Sequence, residues 1–303
     1  MEKSPCGMES ASILNLLPTD PIDLHSHSTA SDGALSPADL VHRAAAHGCK
    51  MLALTDHDGV SGLGAAREAA EAVGIQLING VEISVTWRKR SIHIVGLAID
   101  PSHAPLLAGL HDIREGRVER ARRMSDSLAH VGIEGAFEGA MTHCRNAEMI
   151  GRTHFARFLV EAGVCKDVPT VFKKYLTEGK PGYVKHEWTT LGDAVSWIVG
   201  AGGVAVIAHP GRYPIGTQLT QDLVLEFMEA GGQAIEVVSG SHDADMTKKI
   251  ARVARRFELE VSAGSDFHAP GEGGRDVGKT APLPEGCQPV WARWGAGNLS
   301  QPV

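Results

Sequence analysis

Short apolar runs recur along the chain at 22–25, 51–55, 76–79, 81–85, 92–98, 204–208, 234–238 and 259–263, and each reads as a strand. Between many of them the apolar spacing lengthens to that of a helix. Ser36-Pro37-Ala38-Asp39 opens the first helix, with Ser36 as N-cap and Pro37 at its first position, and Gly48 stops it. An Ala-rich helix is predicted from about 61 to 73, with others between 189 and 204, over 223–230 and over 244–257. Strand–helix alternation of this kind predicts a parallel sheet or barrel.

From 101 to 188 the pattern changes. A charged amphipathic helix is predicted over 114–128, where Glu119 and Arg123 stand four apart, and more helix over 151–162 and 168–176. No strong strand interrupts them. The expected organisation is a barrel in two parts, 21–100 and 189–270, with a helical insertion or lid at 101–188. Tails are expected at 1–20 and 271–303, the second rich in Pro and Gly and loosely structured. No internal repeat is visible.

Composition narrows the class. The 303 residues are 43% hydrophobic and 21% charged, ordinary for a soluble globular chain able to bury a full core. A net charge of -7 argues against broad electrostatic binding to nucleic acid, duplex included, but leaves room for a small basic pocket. Cys6, Cys49, Cys144, Cys165 and Cys287 are odd in number, scattered, and form no C-x-x-C pair, which fits reduced thiols in the cytoplasm. The apolar run Ile13-Leu14-Asn15-Leu16-Leu17 lacks the basic start and length of a signal peptide, and no segment is long enough to span a membrane.

The candidate chemistry lies where the strands end. In Asp23-Leu24-His25-Ser26-His27 the two histidines are i and i+2 on a strand and point the same way, so both imidazoles can meet one metal ion. Asp32 follows shortly after. Asp56-His57-Asp58 ends the second strand, Glu82 follows Gly80-Val81, and His93 sits within 92–98. His209 closes 204–208 before Pro210-Gly211-Arg212, and Asp266 and His268 end the last strand in Gly264-Ser265-Asp266-Phe267-His268. The C-terminal strand ends form the active-site face of parallel α/β barrels.

Mixed imidazole and carboxylate sets suit manganese, iron or zinc. One catalytic zinc needs about three protein ligands, so this larger set predicts two or three ions. Taken singly, His93 reads more readily as a core or surface residue, Asp58 equally as a helix cap, and the charge run at 114–123 as a solvated helix face.

Jointly, Asp23-Leu24-His25-Ser26-His27, Leu54-Thr55-Asp56-His57, Gly80-Val81-Glu82, Ala208-His209-Pro210-Gly211-Arg212 and Gly264-Ser265-Asp266-Phe267-His268 resemble the PHP (polymerase and histidinol phosphatase) family across the whole catalytic core. The resemblance implies an α/β fold, a distorted (β/α)7 barrel of the PHP type with a helical insertion. It implies one ion on His25, His27, Glu82 and Asp266, a second on Glu82, His93 and His209, and a third on Asp32, His57 and His268. Many relatives carry a histidine where Asp32 stands; the aspartate resembles the branch containing nucleotide phosphatases. Gly151-Arg152-Thr153-His154 resembles a Gly-Arg-Pro-His element of that branch, with Thr153 in place of proline. Arg152, Arg212 and His154 are then the candidates for holding a substrate phosphate, with Tyr183 and Lys185 beside the cleft.

The expected activity is hydrolysis of nucleotide phosphomonoesters by a metal-bridging hydroxide, with His209 or His154 as general acid and Mn2+ the first choice of metal, Fe2+ or Zn2+ the others. The leading substrate is the 3'-phosphate of a nucleoside 3',5'-bisphosphate. The alternatives are an AMP phosphatase or 5'-3' exoribonuclease on short RNA, a histidinol-phosphate phosphatase, and a PHP module without catalysis. An amidohydrolase needs a lysine or an equivalent bridging ligand on a central strand, for which the sequence offers no good candidate.

Overall fold

The computed structural model describes residues 20–272 and 274–294. Seven strands lie side by side in chain order: β1 (Ile22–Asp23), β2 (Met51–Leu54), β3 (Gln76–Trp87), β4 (Arg90–Leu97), β5 (Val204–Ile207), β6 (Ala234–Val238) and β7 (Glu260–Ala263). The ends of the sheet then meet. Leu24 N–H donates to the Ala263 carbonyl at 2.8 Å, His27 N–H to Phe267 at 2.9 Å, and Asp266 N–H to His25 at 2.9 Å. This closes the expected distorted barrel.

The strands are buried on both faces, as a barrel requires. Met51, Ala53, Val204, Val206 and Ala208 belong to the inner cluster, while Leu52 and Leu54 pack outward against α1 (Pro37–Ala46) and α2 (Leu63–Val73). On the other side Ile207, Ile235, Val237 and Val261 meet α7 (Leu191–Gly200), α8 (Thr217–Glu229) and α9 (Ala244–Arg256).

Three expectations are corrected. First, the sheet is mixed: β4 runs antiparallel to both β3 and β5. Arg88 and Lys89 both take positive φ, 44° and 66°, and make a two-residue hairpin turn without the usual Gly or Asn signal. Second, the predicted strands 76–79 and 81–85 are one strand, and Gly80 does not break it. Third, the segment from 276 to 294 is not a loose tail. Gly278 N–H donates to Asp23 at 2.8 Å, Arg43 pairs with Asp276 at 2.6 Å, and buried Val290 and Trp291 complete the inner cluster. Residues 1–19 and 295–303, with Cys6 and the apolar run at 13–17, lie outside the described residues.

The insertion carries α3 (Ala104–Ala129), α4 (Ala136–Thr142), α5 (Arg152–Glu161) and α6 (Val168–Val171), which runs into a wider helical turn over Phe172–Leu176. Met124, Leu128, Ile150, Phe155, Leu159, Val171 and Leu176 give it an apolar cluster of its own. The charge run on α3 is solvated only in part: Glu115, Glu119, Arg122 and Arg123 are exposed, whereas Arg117 and Arg120 are buried. Among the described residues no helix is long and apolar enough to cross a membrane, and Cys49, Cys144, Cys165 and Cys287 are free thiols.

Candidate active site

Glu82 stands in the middle of β3, fully buried, with five imidazoles around one carboxylate. Its oxygens lie 3.3 Å from both His25 Nε2 and His27 Nε2, 3.0 Å from His57 Nδ1, 2.7 Å from His93 Nδ1 and 2.9 Å from His209 Nε2. Asp266 Oδ1 approaches His25 and His27 at 3.6 and 3.4 Å, and Asp32 Oδ1 approaches His268 at 3.4 Å. All nine predicted ligands are therefore drawn to one end of the barrel. Glu82, the carboxylate the sequence assigned to two ions, belongs to two of the clusters described below.

The backbone explains how so many groups converge. His209 and Asp266 both take positive φ, 28° and 52°, a conformation that non-glycine residues adopt at a cost. Gly264 admits His25: a Cβ at that position would lie 2.2 Å from the His25 Cβ. His93 reaches the site for a different reason. Because β4 is reversed, its beginning rather than its end lies beside the C-terminal half of β3, and His93 pairs in register with Ser84.

Electrostatics identify what the pocket lacks. Burial alone would raise the Glu82 pKa, but His93, His57 and His25 outweigh it and hold the carboxyl well below its usual range. Burial opposes protonation of His27 too, yet the carboxylates of Asp266 and Glu82 lift it to about 10. Nevertheless His25 Nε2, both ring nitrogens of His27, Asp32 Oδ1, His57 Nδ1, Glu82 Oε2 and Asp266 Oδ1 are buried without a hydrogen-bond partner. Unpaired lone pairs facing one another are costly unless a cation sits among them.

Three sets of donors lie within 4.8 Å of one another: His25, His27, Glu82 and Asp266; His57, Glu82 and His93; and His27, Asp32, His57 and His268. The donor set fits divalent transition metals. The first set is the predicted one. In the second, His57 stands where His209 was expected, and the third gains His27.

Other residues hold these ligands in place, of which the sequence singled out Asp56 and Asp58 but not Glu236 or His242. Glu236, buried on β6, lies 3.1 Å from His25 Nδ1 and accepts the His209 N–H at 2.7 Å. Only its place in the middle of a strand paired with β7 distinguishes it from any strand glutamate. His242 accepts the Gly211 N–H at 3.0 Å and holds the turn before Arg212. Asp56 accepts from the Ser28 N–H at 2.7 Å and so fixes the loop after His27. Asp58 caps no helix; it accepts from Ser84 N–H at 2.7 Å and pairs with Arg117 of α3, tying insertion to barrel.

Carboxylates that orient metal-ligating imidazoles typically carry 10–100-fold of metal affinity or activity. Glu236→Gln is expected to lose roughly that much at constant total metal. A metal titration followed by activity checks it, and unchanged half-saturation removes Glu236 from this role.

The pocket is lined by Asp32, His57, His93, Arg212, Asp266 and His268 of the barrel and by Arg117, Arg120 and Arg152 of the insertion. Arg212 Nη1 lies 2.6 Å from Asp266 Oδ2. His154 and His209, the two expected general acids, are not among the residues lining the opening. His154 is buried behind it, where its Nδ1 accepts the Gly151 N–H at 3.0 Å and starts α5; burial pushes its pKa down to about 4. In this position its ring caps the first turn of α5. Tyr183 borders an adjoining hollow with Arg120 and Arg152, whereas Lys185 is exposed.

The PHP domain model matches residues 23–138. A 3',5'-nucleoside bisphosphate phosphatase of Chromobacterium violaceum is 60% identical over 270 residues, 89% of this chain and 95% of the relative. The chain belongs to the PHP family. Another relative, a 5'-3' exoribonuclease of Haemophilus influenzae, shares 42% identity with this PHP protein over 91% of the chain and the full length of the relative. Among solved structures, an amidohydrolase from Chromobacterium violaceum with bound sulfate and no metal superposes with a TM-score of 0.88. It is 59% identical, and the match covers 90% of this PHP chain and 95% of that one.

Proposed function

We propose that this PHP protein is a cytoplasmic metal-dependent phosphoesterase that removes the 3'-phosphate from nucleoside 3',5'-bisphosphates. The observation that carries the reading is one pocket that joins three donor sets, linked through Glu82, His27 and His57, to four arginines. Two or three divalent ions, Mn2+ before Fe2+ or Zn2+, suit the mixed nitrogen and oxygen donors. Bound ions supply Lewis acidity, polarising phosphoryl oxygens and ionising water near neutral pH.

The chain's own groups do the rest. Arg212, held by Asp266, offers a planar fork to the equatorial oxygens of the reacting phosphoryl group, where negative charge builds. Asp266 keeps Arg212 beside the donors without neutralising its remaining N–H groups. The insertion at 101–188 acts as the lid that carries Arg117, Arg120 and Arg152 to the pocket. The kinship with a relative named for 3',5'-nucleoside bisphosphates supports the substrate class.

A second reading, exonuclease action on short RNA, draws on a hollow of about 260 Å³ beside the site. It shares Thr153, Phe172, Arg212, Asp266 and His268 with the metal pocket and adds Val168, Gly240 and Ser241, giving room for a further nucleotide.

Phosphate release by manganese-loaded protein tests both. The panel compares 3',5'-bisphosphates, nucleoside monophosphates, histidinol phosphate and short 5'-phosphorylated RNA, the last read by mononucleotide release. The expected order puts the bisphosphate first. A dominant rate on histidinol phosphate overturns the nucleotide reading, and faster cleavage of RNA favours the second.

A further inference from the structure

β4 and β5 run antiparallel with Ile94 opposite Ile207, so the next residues to face one another are His93 and Ala208. Residues opposed at a hydrogen-bonded position of such a ladder exchange two backbone bonds. Only one of the two is made here: the Ala208 N–H donates to the His93 carbonyl at 3.2 Å. A side chain replaces the other. The His93 N–H donates to the Tyr213 hydroxyl at 2.9 Å, and that hydroxyl donates to the Ala208 carbonyl at 2.9 Å.

One oxygen is thus inserted into the ladder where both strands deliver an imidazole to the site. His93 Nδ1 and His209 Nε2 converge on the same Glu82 oxygen, at 2.7 and 2.9 Å. They flank the opening. His93 gives its own amide to the hydroxyl, and His209 directly follows the carbonyl that accepts from it. The Tyr213 ring also stands edge-on to the His209 ring, with centroids 5.6 Å apart. The loop between them is folded for this purpose: His209 takes a φ of 28°, and the Arg212 N–H donates back to the His209 carbonyl at 2.9 Å. Tyr213 therefore returns to the strand it has just left.

Without the hydroxyl, the His93 N–H and the Ala208 carbonyl would either stay unpaired or close on one another. Closing would draw the two strand ends together and move both imidazoles. We propose that Tyr213 is a positioning residue for the ion that His57, Glu82 and His93 would hold. Its hydroxyl wedges β4 from β5 so that His93 and His209 reach one carboxylate oxygen. This rests on the metal-dependent reading above and is indifferent to which phosphoester is the substrate.

Tyr213→Phe keeps the ring and removes the wedge. Groups that orient metal-ligating imidazoles typically carry 10–100-fold of metal affinity. Calorimetric titration of chelator-stripped protein with Mn2+ is expected to show one class of site weakened on the order of 10–100-fold. The set of His25, His27, Glu82 and Asp266 should keep its affinity.

Thermal unfolding with and without Mn2+ gives a readout that a merely structural tyrosine would not move. An ion that binds the native state raises the melting temperature by an amount that falls as affinity falls. The rise on adding Mn2+ should therefore be smaller in Tyr213→Phe than in wild type. Equal lowering of both melting temperatures, with every affinity unchanged, overturns the proposal.

Should Tyr213→Phe fail to fold, 4-aminophenylalanine in place of Tyr213 carries the same titration, since its amino group still donates to Ala208 but accepts poorly from His93. Weakened binding at one class of site supports the wedge, and wild-type affinity rejects it. A wild-type protein that binds no Mn2+, Fe2+ or Zn2+ brings down the metal-dependent reading and this proposal together. A wild type that binds Mn2+, matched by variants that bind it equally well, rejects the positioning role alone.

Discussion

Glu82→Gln is expected to abolish phosphate release and to strip the protein of its metal while leaving the barrel folded. No other carboxylate in the site has five imidazoles about it, and two of the three donor sets contain it. Glutamine keeps the volume and one acceptor but removes the charge that compensates a cation, so both sets fail together. The rate loss should be at least on the order of 10²–10³-fold, the scale of removing one group that stabilises charge in a transition state. Elemental analysis after dialysis gives the second readout. A Glu82→Gln protein that retains its full complement of transition metal would falsify the shared-ligand arrangement. The variant should fold, since glutamine keeps the side chain's volume at a position whose strand pairing is made by the backbone.

The second large effect is on stability. Asp58 is fully buried, with φ of 43°, and receives the Ser84 N–H at 2.7 Å, the Ser84 hydroxyl at 2.9 Å and the Arg117 Nε at 2.9 Å. Asp58→Asn suits the same backbone, because Asn also tolerates positive φ. It leaves Arg117 buried without its counter-charge, a loss of about 3–5 kcal/mol for a broken buried pair. Arg117→Met should cost less, and the double variant less than the sum of the two, since neither stranded charge remains. Urea unfolding measures all three, and strict additivity sinks the pairing.

The pH dependence has a definite sign. Burial opposes ionisation of Asp58, but Arg117 and His57 prevail and hold its pKa below the ordinary 3.8. Its contribution is therefore fully present above that value and is lost as pH falls through the folded pKa. The Asp58→Asn penalty should shrink in acid. Activity should fall with stability in these variants, because Arg117 belongs to the insertion that carries Arg120 and Arg152 to the pocket.

Much of the site was legible because ligands in this fold are presented by short motifs at chain turns. His25-x-His27, Asp56-His57 and Asp266-Phe267-His268 declare themselves by spacing, since neighbouring side chains on one strand or loop share a destination. Glu236 was not legible: a lone glutamate within an apolar strand has no local mark, and its meaning comes from His25 and the His209 amide, remote in sequence. Arg117 and Arg120 were misread for the opposite reason. Their local pattern is that of a solvated helix, and only packing of α3 over the barrel buries them. The β3–β4 hairpin was hidden by Arg88-Lys89, a turn whose positive φ values are imposed by the strands on either side.

The sequence by itself determined most of the strands and helices, the order of the metal-ligand motifs and hence the family, because these depend on periodicity and on neighbours a few residues apart. The tertiary structure alone decided the reversed direction of β4, which brings His93 to Glu82 from a strand's beginning. It also decided the partners of Glu236, the seating of the C-terminal segment, and the burial of arginines beside the clustered imidazoles and carboxylates. Each of these depends on contacts between segments far apart in the chain, whose geometry exists only once the barrel has closed.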